Sequence, residues 1–249
     1  FTADSLLPGP KTYQLPNSSK KLRNWTGKEC GPEGKITLRQ ALAISCNTAF
    51  AWLGNELGAA AIRDQAEAFG FNSGFEIPLR AATSLFPQDP DAPQTALSAI
   101  GQFEVRATAL QMAMVAASIG NSGRTMNPYL VQEIRGPDLS ILQTTEPSQF
   151  EDALKPSNSL SLTEMLVNVV ENGTGSNAKI AGVRVAGKTG TAQTGNDSPS
   201  VAWFISFAPA AAPKVAVAVV IEESGFAEVS GNGLAAPIAK EVMKAVLGS

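Results

Sequence analysis

The chain has no histidine among its 249 residues. That absence removes Ser-His-Asp and Cys-His catalytic sets, the H-E-x-x-H zinc site and any imidazole proton shuttle near neutral pH. Proton transfer has to run through Lys, Asp, Glu, Tyr, Ser or water. Cysteine is nearly as scarce. Cys30 and Cys46 are the only two, too few for a four-cysteine zinc site and without histidine to complete a mixed one, so no metal and no cofactor is expected. They are two free thiols or one disulfide, and outside the cytoplasm a bridge between them would contribute roughly 3 kcal/mol through loop entropy.

Long apolar runs are missing as well. Val215–Ile221 is far short of the roughly 20 residues that span a bilayer. The opening residues, Phe1 to Ser5, have neither the basic nor the apolar part of a signal peptide, and there is no initiator Met. The chain is therefore expected to be a piece of something longer. With 19 basic and 22 acidic side chains the net charge is −3, which argues against nucleic acid as the main ligand, because phosphate binding needs a clustered positive field. The densest basic run, Lys20, Lys21, Arg23 and Lys28, reads as a solvated loop.

What is present is an ordinary globular composition, 44% hydrophobic and 16% charged, enough for one large domain or two small ones. Residues 1–35 are rich in Pro and Gly and have no sustained periodicity. From Ile36 a helical stripe of Leu38, Leu42, Ala49, Leu53 and Leu57 begins, with Thr37 as N-cap and Gly58 as stop. Residues 60–69 continue helically to Gly70, and 71–98 read as Pro-rich irregular structure. Thr108-x-x-Gln111 and Ser161-x-x-Glu164 are capping boxes that open two further helices, ending near Gly120 and Gly173.

Val183–Gln193, Ser200–Ala208 and Lys214–Ile221 are rich in β-branched and aromatic residues, so they are expected to form consecutive antiparallel strands. A last helix runs from Pro237 to Leu247. The expected fold class is α+β, an antiparallel β-sheet flanked by helices. Three strands are few for so many helices, and strands preceding Phe1 are expected to complete the sheet.

Two short constellations carry chemistry. Lys188-Thr189-Gly190-Thr191 lies on the first expected strand and offers a cation and hydroxyl donors for a carboxylate, with a glycine where a ligand backbone could approach. The same residues also fit an exposed strand with a bulge. Ser45-Cys46-Asn47 lies within the first helical stripe. On a continuous helix Ser45 and Asn47 would point about 200° apart. Either one amphipathic helix has a polar turn here, or the helix breaks and Asn47-Thr48 caps a second one.

Together the two constellations resemble the SxN and KTG parts of the Ser/Lys acyl-transfer set. The stretch ITLRQALAISCNTAFAWLG from Ile36 is similar to the SxN region of penicillin-binding transpeptidases. AIGQFEVRATALQMAMVAASIGNSG with the following NPYL resembles the central helix of that family. VVENGTGSNAKIAGVRVAGKTGTAQ with VAWFISFAP resembles its KTG strand and the strand after it. KTGTAQ is closer to the monofunctional class B group than to β-lactamases, and SCNTAF is similar to an actinobacterial branch.

The resemblance implies the penicillin-binding transpeptidase or serine β-lactamase-like fold, with residues 1–249 as the C-terminal portion of one transpeptidase domain. It implies that Ser45 relays protons and that Asn47 binds the substrate amide and orients the catalytic lysine. Lys188 supplies positive potential. Thr189 and Thr191 bind the carboxylate of a D-Ala-D-Ala stem peptide or a β-lactam beside Gly190, and the Thr191 N–H forms half of an oxyanion hole. The implied location is extracytoplasmic, tethered by an N-terminal membrane anchor outside this chain. The implied partners are the preceding segment of the polypeptide and cell-wall synthesis or division proteins.

One part of the set departs from the pattern. The literal Ser-x-x-Lys match, Ser18-Ser19-Lys20-Lys21, runs into polar residues and Gly27, so it cannot open the apolar helix that would bury a lysine. The nucleophile and its lysine are expected before Phe1. With Lys188 assigned to electrostatics, no residue of the chain itself is expected to serve as general base. A penicillin-recognising sensor without turnover and a D,D-carboxypeptidase or β-lactamase are the competing functions. The last needs a water-activating carboxylate, and Glu104 and Glu171 read as surface or capping charges. Gly173-Thr174-Gly175 follows a helix instead of opening one, which speaks against a nucleotide loop.

Overall fold

The computed structural model describes residues 1–192, 200–222, 224–225 and 229–248. In chain order it begins with three short strands, β1 (Leu6–Pro8), β2 (Thr12–Gln14) and β3 (Lys21–Arg23), and then β4 (Lys35–Thr37). β4 leads into helices α1 (Leu38–Ile44), α2 (Asn47–Leu57), α3 (Ala59–Ala68), α4 (Ala92–Ser98) and α5 (Ala109–Gly120). Strands β5 (Arg124–Met126), β6 (Glu133–Arg135), β7 (Ile141–Thr144) and β8 (Gln149–Asp152) follow. Helix α6 (Pro156–Asn172), strands β9 (Ala186–Ala192), β10 (Val201–Ala208) and β11 (Val215–Ile221), and helix α7 (Ala236–Leu247) complete it. None of the described helices is long and apolar enough to cross a membrane.

The α+β architecture centres on an antiparallel sheet of order β11-β10-β9, the meander read from the sequence. The last residue of the first expected strand, Gln193, lies outside the described residues. Alternation along β10 divides the core. Phe204 and Ala208 pack with Val170, Val185, Val217, Ala239 and Met243 on the α7 face. Phe207 packs with Ala116, Ile119, Leu166 and Val167 of α5 and α6 on the other. Among the described residues β9 is an edge strand, and the chemistry gathers beside it.

Several local expectations need correction. The region 71–98 is not wholly irregular, because Asp91 and Gln94 form a reciprocal capping box with Pro93 in the first turn of α4. Helix α6 starts at Pro156 rather than at Ser161, whose hydroxyl instead donates to the Ser157 carbonyl inside the helix. Thr108 caps α5 as expected, but the box is not reciprocal, since the Gln111 amide donates to the Phe69 carbonyl at 2.7 Å. The segment 124–152 holds two short strand pairs, β5 with β8 and β6 with β7, that periodicity did not reveal.

Candidate active site

The helical stripe from Leu38 to Leu57 is two helices. Ser45 takes the left-handed conformation, φ 57° and ψ 54°, and its N–H closes α1 on the Ala41 and Leu42 carbonyls. Cys46 then runs extended into α2. The break settles the geometric question, since Ser45 and Asn47 both line one cleft.

The new helix is not capped by Asn47, the cap that the broken-helix alternative offered. Cys46 is its N-cap and supplies no side-chain bond. Asn24 does that work from a distant loop. It is 6% exposed and its Oδ1 accepts from the Thr48 N–H at 3.0 Å. Its Nδ2 donates to the carbonyls of Pro10 at 3.0 Å and Lys28 at 2.9 Å. Burying an amide is tolerated here because its donors and acceptor are used. Cys30 and Cys46 form a disulfide, so the 24–30 loop is held to the Ser45 turn by one covalent bridge and one buried amide.

Opposite that turn is β9. Pairing of Lys188 with Ile205 and of Thr189 with Phe204 puts Lys188 on the α5/α6 face and Thr189 on the α7 face of the edge. Lys188 Nζ donates to Ser45 Oγ at 3.0 Å and to the Thr189 carbonyl at 2.8 Å. Desolvation by burial pushes the Lys188 amine down from 10.5 to about 8. The amine is therefore closer to losing its proton near neutral pH than an ordinary lysine.

The cleft has a volume of about 340 Å³ and is lined by Ser45, Asn47, Thr174, Thr189, Gly190 and Thr191. Asn24, Trp25 and Glu29 of the tethered loop and Ser230 to Asn232 before α7 also line it. The Asn47 amide donates to the Arg23 carbonyl at 3.3 Å. A second hollow of about 300 Å³ borders β9 from Lys188 to Ala192 and is lined also by Phe71, Ile100, Val105, Met112 and Trp203. Gly190 is needed for packing as well as for access. A Cβ there would come within 3.0 Å of the Trp203 Cβ, and Gly231 packs against its backbone.

Ser18 is not part of this arrangement. It sits in the turn between β2 and β3, its hydroxyl accepting from the Lys20 N–H at 3.1 Å. Lys20, Lys21, Arg23 and Lys28 are exposed. Glu104 is an exposed charge and Glu171 pairs with Lys179 at 3.5 Å; neither lines the cleft. Asn24, Thr174 and the residues before α7 were missed by sequence reading, because their contribution depends on contacts between segments far apart in the chain.

A three-stranded meander backed by helices, with Ser-x-Asn and Lys-Thr-Gly meeting at its edge, is the arrangement that the resemblance to Ser/Lys acyl transferases calls for. Residues 1–244 match the penicillin binding protein transpeptidase domain, and the chain belongs to that family. It is 43% identical over 247 residues to the peptidoglycan D,D-transpeptidase PbpA of Mycolicibacterium smegmatis, covering 97% of this chain and 50% of that protein. The Mycobacterium tuberculosis PbpA is 43% identical over 251 residues, 99% of this chain and 51% of that protein. These relatives bear out the actinobacterial resemblance of SCNTAF.

The structure of penicillin-binding protein A from M. tuberculosis as a ceftriaxone acyl-enzyme superposes with a TM-score of 0.95 at 42% identity, covering 99% of this chain and 56% of that one. The D,D-transpeptidase domain of a peptidoglycan glycosyltransferase from Eggerthella lenta gives 0.86 at 33% identity, covering all of this chain and 60% of that one. The chain spans about half the length of the curated relatives it matches.

Proposed function

We propose that this chain is the C-terminal part of a D,D-transpeptidase domain that cross-links peptidoglycan stem peptides through a serine acyl-enzyme and is acylated by β-lactams. The observation that carries the reading is the 3.0 Å contact between Lys188 Nζ and Ser45 Oγ. It joins two motifs 143 residues apart at one cleft, and the named activity of the PbpA relatives fits it.

The nucleophilic serine and its lysine come from the segment preceding Phe1, which docks against the Lys188 face of β9 and adds strands to the sheet. The domain works outside the cytoplasm, anchored by that same upstream part, alongside cell-wall synthesis or division proteins. In this scheme a D-Ala-D-Ala stem peptide lies along β9 with its carboxylate at Thr189 and Thr191. Its amide meets Asn47, and the developing oxyanion sits at the Thr191 N–H. Ser45 and Lys188 pass the proton toward the leaving D-Ala; an amine with a pKa near 8 is about one-tenth neutral at pH 7.

The test is the fate of the acyl group. The polypeptide carrying the upstream segment is given a D-Ala-D-Ala donor and an amine acceptor. Aminolysis with release of D-Ala, together with slow loss of bound penicilloyl, is the expected result. Rapid hydrolysis would favour the carboxypeptidase or β-lactamase reading, and binding without acylation would favour the sensor.

A further inference from the structure

Gly173-Thr174-Gly175 is not a phosphate loop, yet it occupies a demanding position. Helix α6 ends on Gly173, and a Cβ there would collide with the Ala43 carbonyl oxygen in the last turn of α1. The Thr174 N–H donates to that same carbonyl at 3.0 Å. Thr174 is thereby fixed between the helix that leads into Ser45 and the edge strand β9. Its hydroxyl lines the cleft and lies 2.7 Å from Thr189 Oγ1.

A hydroxyl has one proton and two lone pairs. Among the described residues Thr189 Oγ1 has two hydrogen-bonding neighbours, Thr174 Oγ1 at 2.7 Å and Lys188 Nζ at 3.5 Å. The lysine, as an ammonium, can only donate. If Thr174 also donates, the acceptor capacity of Thr189 is used and its single proton is directed away from both, into the cleft. If Thr189 donated to Thr174 instead, it would present lone pairs to an incoming anion, and a carboxylate would be repelled.

We infer that Thr174 is a positioning residue for the carboxylate subsite: its hydroxyl donates to Thr189 Oγ1 and commits the Thr189 proton to an anionic ligand. The inference rests on the transpeptidase reading, in which that ligand is the carboxylate of the stem peptide or β-lactam. Thr174 acts through Thr189, so its removal affects ligands by their charge and not only by their fit.

The experiment uses the polypeptide with its upstream segment and compares wild type, Thr174→Val, which keeps shape and backbone contact, and Thr174→Ser, which restores the hydroxyl. Thr174→Ala repeats the measurement with a smaller side chain. Second-order acylation constants are taken for benzylpenicillin and for its uncharged methyl ester. Thr174→Val and Thr174→Ala are expected to lower the constant for benzylpenicillin by about tenfold, the size of a weakened hydrogen bond to a charged group. They leave the ester within about twofold, and Thr174→Ser recovers the loss. An unchanged constant for benzylpenicillin overturns the inference, as does an equal fall for the ester, which would mark a structural role. A wild-type protein that is never acylated overturns the transpeptidase reading, and this inference with it.

Discussion

Replacing Lys188 with methionine keeps an unbranched side chain one atom shorter and removes its charge. Holding the amine at a pKa of about 8 rather than 10.5 costs about 3 kcal/mol, at about 1.4 kcal/mol per pH unit. The variant loses the bonds to Ser45 Oγ and the Thr189 carbonyl, each worth about 0.5–1.5 kcal/mol. At pH 7 the variant is therefore expected to be more stable by about 1 kcal/mol, while losing acylation. The pH dependence is more diagnostic than the offset. Because the folded pKa lies below the unfolded one, the unfolded chain binds the extra proton between about pH 8 and 10.5, so wild-type stability rises with pH through that window. Urea unfolding of both proteins at several pH values from 7 to above 10 measures the difference, in which the other titrating groups cancel. Relative to wild type, Lys188→Met should lose about 3 kcal/mol across the window, passing from about 1 kcal/mol more stable at pH 7 to about 2 kcal/mol less stable above pH 10.5. A difference that stays constant with pH would refute the claim that Lys188 is held in a desolvated state.

Other perturbations test the scaffold of the cleft. Reducing the Cys30–Cys46 bridge, whose partners are 16 residues apart, should lower stability by about 3 kcal/mol, read by thermal melts with and without reductant. Asn24→Ala leaves the Thr48 N–H and the Lys28 carbonyl without their partner, while the Pro10 carbonyl keeps the Thr48 hydroxyl at 2.8 Å; a loss of about 2 kcal/mol in urea unfolding is expected, with slower acylation as the Ser45 turn loosens. Gly231→Ala pushes a Cβ into the Trp203 and Gly190 backbones and should slow acylation by about tenfold or more through displacement of β9, measured with a fluorescent penicillin.

The sheet was legible because β10 and β11 are long and β-branched and face two cores, so that their pattern is dense and their ends fall within a residue or two of those expected. Helix α4 was hidden by its prolines, although Asp91 and Gln94 carry a box that the sequence displays. The break at Ser45 could be posed but not decided, because its cause is remote. The residue that caps α2 is Asn24, 24 positions before Thr48, and no local pattern names it. For the same reason Ser45, Asn47, Lys188, Thr189, Gly190 and Thr191 were readable as motifs, whereas Thr174 was not. Its importance lies in one hydroxyl contact across the cleft.

The most direct test of the central claim is the site of penicilloylation. Benzylpenicillin is added to the polypeptide with its upstream segment and to residues 1–249 alone, and adducts are located by intact mass and peptide mapping. The account predicts one covalent adduct on a serine preceding Phe1, absent from residues 1–249 alone. An adduct on residues 1–249 alone, mapped to Ser18 or Ser45, would contradict it.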